Sequence, residues 1–166
     1  MKKLLLIVCW VLPFMGCHKN NGTNGSTCDI VATRAKNALK VSIDKGIWGT
    51  VSSIEGNCMP IVNPEVCTHC PVRRTIRIYQ YALAENATPV SPGWYKSIGA
   101  ALVAEVRTDA EGFYEVGLPP GKYSVVILEA GFLHVVSMDG TGGLNPVTVQ
   151  NGAHNEDLVM TYKAVF

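Results

Sequence analysis

The chain carries little charge, and none of it is clustered. Lys, Arg, Asp and Glu make up 16% of its 166 residues and leave a formal net charge of +1. Without a run of basic residues there is no sequence basis for neutralising phosphates, so nucleic acid is not expected as a partner. Electrostatic attraction to anionic lipid head groups is equally unsupported. No apolar run approaches the ~20 residues that a membrane-spanning helix needs. No internal repeat emerges, and neither a Ser/His/Asp order nor a phosphate-cradling glycine loop stands out. Hydrolase and nucleotide-binding chemistry therefore have no motif to rest on. Helical patterning is also scarce, and what fills the chain is short strands separated by Gly, Pro and Asn.

The amino terminus is different. Met1-Lys2-Lys3 is basic, and Leu4 to Leu12 is an uncharged apolar run of nine residues, too short to span a bilayer and suited to the h-region of a secretory signal. Phe14-Met15-Gly16-Cys17 then resembles the lipobox of bacterial lipoproteins, although Phe14 stands where Leu is usual. That resemblance implies cleavage before Cys17, diacylation of its thiol and acylation of the new amino terminus, a stable anchor of several acyl chains. Residues 1–16 would be the signal peptide, Cys9 would leave with it, and loss of Lys2 and Lys3 would take the formal charge from +1 to −1. The membrane would thus be held covalently, with the bacterial envelope, and its outer membrane in particular, as the expected location.

Residues 17–45 are expected to be the lipidated cysteine and a tether. His18 to Thr27 is mostly Asn, Gly, Ser and Thr, with nothing to bury. A short helix is expected after it, capped by Thr27, with Lys36 and Lys40 toward its carboxyl end and with Val31, Ala35 and Leu39 on one face. Residues 46–166 are expected to be one domain. Its clearest stretch is Arg107 to Leu128. Asp109-Ala110-Glu111-Gly112 is a tight turn. Tyr114, Val116 and Leu118 alternate along one strand, and Tyr123, Val125 and Ile127 along another. Pro119-Pro120-Gly121 between them suggests a β-hairpin closed by a type II turn with Gly121 at its corner. Further strands are expected at Ile47 to Ile54, Val72 to Leu83, a segment with Leu102, Ala104 and Val106 inward, Phe132 to Met138, Pro146 to Gln150, and Leu158 to Tyr162. Seven to eight short strands suggest an all-β, antiparallel Greek-key sandwich.

The domain resembles a carboxypeptidase regulatory-like module, the transthyretin-like or prealbumin-like sandwich. The residues that carry the resemblance are Gly49-Thr50-Val51, Thr108-Asp109-Ala110-Glu111-Gly112-Phe113-Tyr114, Leu118-Pro119-Pro120-Gly121-Lys122-Tyr123 and Gly131. Gly56-Asn57-Cys58-Met59-Pro60 and the closing Asp139-Gly140 and Asn145-Pro146-Val147 also resemble small bacterial lipoproteins of this class, common in Bacteroidetes. The resemblance implies a non-catalytic binding or structural module. One hydrolase branch of the transthyretin relatives ends in Tyr-Arg-Gly-Ser, and this chain ends Tyr162-Lys163-Ala164-Val165-Phe166, so no catalytic residue is carried over.

Chemistry could lie in the cysteines. Beyond Cys17, the residues Cys28, Cys58, Cys67 and Cys70 form an even set, which in an oxidising compartment suggests two disulfides in one of three connectivities. They would pin the loop from Asn57 to Pro71 and tie the preceding segment to the sandwich. A rival reading places Cu or Zn on Cys58, Cys67, His69 and Cys70. A second makes Cys67-Thr68-His69-Cys70 a thiol–disulfide exchange motif. For recognition of an envelope protein or carbohydrate, Trp94 and Tyr95, in a loop after Ser91-Pro92-Gly93, are the candidates for stacking on a ligand. Trp48 is a further aromatic candidate. His134 suggests a surface or packed residue and His154 a solvated one, and Asp109 with Glu111 serves a turn before it serves a calcium ion.

Overall fold

The computed structural model describes residues 28–60 and 66–166. Cys17, the signal segment, the tether and Thr27 lie outside the described residues. The rest is an all-β open sandwich of a five-stranded and a seven-stranded sheet with one short helix, α1 (Ile30–Ala38).

The five-stranded sheet is built on β1 (Gly46–Asn57). Its first half lies between β7 (Phe113–Gly117), antiparallel, and β11 (Ala153–Asn155), parallel. Its second half lies between β2 (Cys67–Pro71), antiparallel, and β12 (Leu158–Val165), parallel. The seven-stranded sheet is antiparallel and centred on β8 (Gly121–Glu129). On one flank it pairs with β3 (Thr75–Gln80), which pairs in turn with β6 (Leu102–Arg107). On the other flank lie β9 (Phe132–His134) and β10 (Pro146–Val149). The sheet continues from β9 to β5 (Trp94–Ile98) and β4 (Ala87–Ser91). Among the described residues twelve strands appear where the alternation suggested seven or eight, because several are only three to five residues long.

The stretch from Arg107 to Leu128 is not a hairpin. β7 pairs with β1 and β8 pairs with β3, β9 and β10, so the Pro119-Pro120 turn carries the chain from one sheet to the other. Tyr114 and Tyr123 are both buried, facing the shared interior from opposite layers. Nor does Gly121 occupy a positive-φ corner. A Cβ there would lie 3.1–3.3 Å from the Tyr123 ring, whose hydroxyl donates to the Pro119 carbonyl at 2.9 Å. The glycine makes room for the tyrosine. The Asp109 turn is as expected: Asp109 accepts from the N–H groups of Glu111 and Phe113, both at 2.9 Å, and Gly112 has φ +71°. A Cβ on Gly112 would meet the Val51 carbonyl at 2.4 Å.

Two cores share β8. Val125 and Ile127 point between the sheets, toward Ile47, Val51, Ile76, Ile78, Leu158 and Met160. Val126 points to the outer face, where it is buried with Tyr79, Tyr95, Leu133, Val135 and Leu144. A strand covered on both faces is written as a continuous apolar run, which Val125 to Leu128 is. On the edge strand β6, Ala104 and Val106 pack on the interlayer core but Leu102 is exposed, beyond a register shift at Ile78–Tyr79.

Helix α1 departs from expectation more sharply. Its cap is Asp29, whose carboxylate accepts from the Ala32 N–H at 2.9 Å. Its buried side chain is Asn37, which donates to Thr50 Oγ1 at 3.0 Å and to the Glu111 carbonyl at 2.9 Å. Arg34 pairs with Asp157 at 2.9 Å. Thr50 alternates with the inward Val51, so the helix covers the outer face of the five-stranded sheet through polar contacts. The expected apolar face of Val31, Ala35 and Leu39 points to solvent.

Candidate functional site

The cysteines are joined as Cys28–Cys70 and Cys58–Cys67. The first bridge ties the residue before the α1 cap to β2. The second closes the loop between β1 and β2. This loop is shorter than the sequence suggested, since Cys67 to Cys70 already belongs to a strand. Residues three apart in a strand lie ~10 Å apart and point to opposite faces, well outside the Cα spacing of a disulfide. Cys67 and Cys70 therefore bond to different partners. His69 lies beneath α1, its Nε2 2.9 Å from the Ser52 hydroxyl. Burial, then the Arg34 guanidinium, hold its pKa below the ordinary histidine range. Ser52 is fully buried and offers no accessible nucleophile. Among the described residues no group of three or more His, Cys, Asp or Glu is arranged to hold a metal ion.

Trp94 and Tyr95 are separated by the pleat. Both belong to β5 rather than to a loop, and neighbours in a strand face opposite ways. Tyr95 is buried in the outer-face cluster. Trp94 points the other way, into an aromatic group that spans both sheets. Its ring lies 4.3 Å from His134, tilted by 30°, and meets Tyr162 of β12 edge-on at 5.0 Å. His134 and Tyr162 are 5.4 Å apart at 73°. These rings continue the inward rows of Ile127 on β8 and Leu158 and Met160 on β12, closing the interlayer core where the sandwich opens. Tyr162 remains 39% exposed.

Charged groups back the rings. The Tyr162 hydroxyl donates to Glu129 at 2.8 Å, and Glu129 also receives the Arg74 guanidinium, with Nη2 at 3.2 Å and Nε paired as well. Burial and the bond to Glu129 raise the Tyr162 pKa, so the phenol stays protonated. His134 Nδ1 lies 3.2 Å from the Gly93 carbonyl and must donate, which leaves the lone pair on Nε2. Burial lowers its pKa despite that bond, so the ring is neutral near pH 7. The group offers two partly accessible aromatic rings, Trp94 and Tyr162, set edge-on to each other beside a paired carboxylate and guanidinium. Its only hydroxyl, the phenol, is committed to Glu129.

Sequence reasoning singled out Trp94 but not its companions Arg74, Glu129 and Tyr162, and it assigned His134 to the surface or to packing. The signal lay in β12, where Tyr162 follows Leu158 and Met160 at every second position. Trp48, His154, Asp109 and Glu111 do not join the group. His154 accepts from the Gln150 N–H at 3.2 Å, and Asp109 and Glu111 receive Lys40. No protein-family model matches the chain, and neither a curated protein nor a solved structure matches it significantly.

Proposed function

We propose that this chain is a lipid-anchored protein of the bacterial envelope whose sandwich, of the carboxypeptidase regulatory-like kind, binds a ligand rather than catalysing a reaction. The anchor is Cys17, on the lipobox-like Phe14-Met15-Gly16-Cys17. The observation that carries the binding reading is the group of Trp94, His134 and Tyr162, with two partly accessible rings held by fixed neighbours and edged by Glu129 and Arg74. Such a surface suits a saccharide ring, whose C–H face stacks on an aromatic while its hydroxyls meet charged groups. The four outer cysteines serve architecture in this reading, paired as Cys28–Cys70 and Cys58–Cys67.

The test is a fluorescence titration of the purified full-length chain with soluble oligosaccharides released from the bacterial envelope. Saturable change in tryptophan emission is expected, and Trp94→Ala should weaken binding roughly tenfold, the scale of one lost aromatic contact. Binding that is undiminished by Trp94→Ala, or no saccharide binding at all, refutes the assignment of the site.

A further inference from the structure

Helix α1 is seated with its amphipathic faces reversed. A surface helix of a globular protein turns its apolar stripe inward. Here the inward side chains are the buried Asn37, the ion-paired Arg34 and the half-buried Ile30, while Val31, Ala35, Ala38 and Leu39 face out. Val31 is 74% and Leu39 88% exposed. At 3.6 residues per turn these four side chains fall within an arc of ~100°, with the exposed Lys36 beside it. The orientation is fixed from both ends. Cys28 is bonded to Cys70 before the helix begins, and Lys40 reaches Asp109 at 2.6 Å after it ends.

We propose that this stripe rests on the lipid surface to which Cys17 anchors the chain, an inference that depends on the anchored reading above. Cys17 and Cys28 are eleven residues apart. At no more than ~3.6 Å per residue, that length holds the start of α1 within ~40 Å of the acyl chains. A tethered surface meets the membrane at high effective concentration, so a few apolar side chains suffice where free association would need many. Lys36 can lay its stem along the stripe and extend its ammonium to the head groups. A second copy of the chain fits less well, because four side chains on a nine-residue helix and its C-cap fall short of the ~800 Å² that each partner buries in a stable protein interface. Docking would fix the orientation of the sandwich above the bilayer, which a tether alone does not do.

The lipidated full-length chain is reconstituted in phosphatidylcholine vesicles whose acyl chains carry bromine, a short-range quencher of indole emission. Leu39→Trp is compared with the parent chain and with Val90→Trp, a substitution on an exposed position of the other sheet. The indole added at position 39 should lose about half or more of its emission relative to unbrominated vesicles, as expected for a helix seated at the head-group boundary. The one added at position 90 should be unaffected. Equal emission of the Leu39→Trp chain in both vesicle types overturns the proposal. So does a change that follows protein density rather than bromination, which would place a second copy on the stripe. The acyl mass on Cys17 is read in the same samples. An acylated Cys17 with an unquenched indole removes only the docking, and an unmodified Cys17 removes the anchored reading along with it.

Discussion

Replacing Cys28 and Cys70 together with serine tests how α1 is held. The bridge closes a loop with a sequence separation of 42, against 9 for Cys58–Cys67. The chain-entropy relation gives about 4 kcal/mol for the longer loop and about 2.6 kcal/mol for the shorter. Without the bridge, α1 keeps the two Asn37 hydrogen bonds, the Arg34–Asp157 pair and the Lys40 pairs with Asp109 and Glu111. The ion pairs are partly exposed and contribute little, and the helix buries no large apolar side chain to replace the bridge. The assay is urea unfolding of the full-length chain, comparing the double Cys28→Ser/Cys70→Ser variant with the double Cys58→Ser/Cys67→Ser variant, with amide exchange read across residues 30–38. The first variant should lose more stability than the second, and its helix amides should exchange faster than those of β8. A loss below ~1 kcal/mol for the longer loop, or the reverse order, would refute the reasoning.

Other outcomes follow from single contacts. Asn37→Ala leaves Thr50 Oγ1 and the Glu111 carbonyl without their donor and should cost about 1–3 kcal/mol in urea unfolding. Ala130 has φ +51° in the β8–β9 turn, a conformation that disfavours any side chain, so Ala130→Gly should raise stability by about 0.5–1 kcal/mol in the same assay. His69 and His134 both have lowered folded-state pKa values, so the unfolded chain takes up their protons first. Stability should therefore fall as pH drops below ~6.5, by at most about 1.4 kcal/mol per pH unit for each histidine. Thermal unfolding between pH 7 and pH 5 should show that slope, and His134→Gln should reduce it.

The sequence pattern revealed which residues face inward far better than which strands are partners. Period-two alternation marked Tyr114, Tyr123, Val125 and Ile127 as buried, and they are. It could not distinguish a hairpin from two strands facing each other across a core, because both bury every second residue. The outer-face cluster was hidden for a related reason, as the alternate reading of β8 gave Val126 no role. In α1 the apolar spacing was real, but hydrogen bonds and a disulfide, rather than hydrophobic burial, set the direction of the helix. The candidate site was the least legible. Trp94, Glu129, His134 and Tyr162 lie on four strands of two sheets, and only the pairing of those strands brings them together.

The proposed anchor is the point on which the proposed function depends, and mass spectrometry of the amino-terminal peptide from the protein isolated from its native cells tests it most directly. A mature chain that starts at Cys17 and carries the mass of its acyl chains is expected. A chain that fractionates with the soluble material, with an unmodified thiol at Cys17, would contradict it.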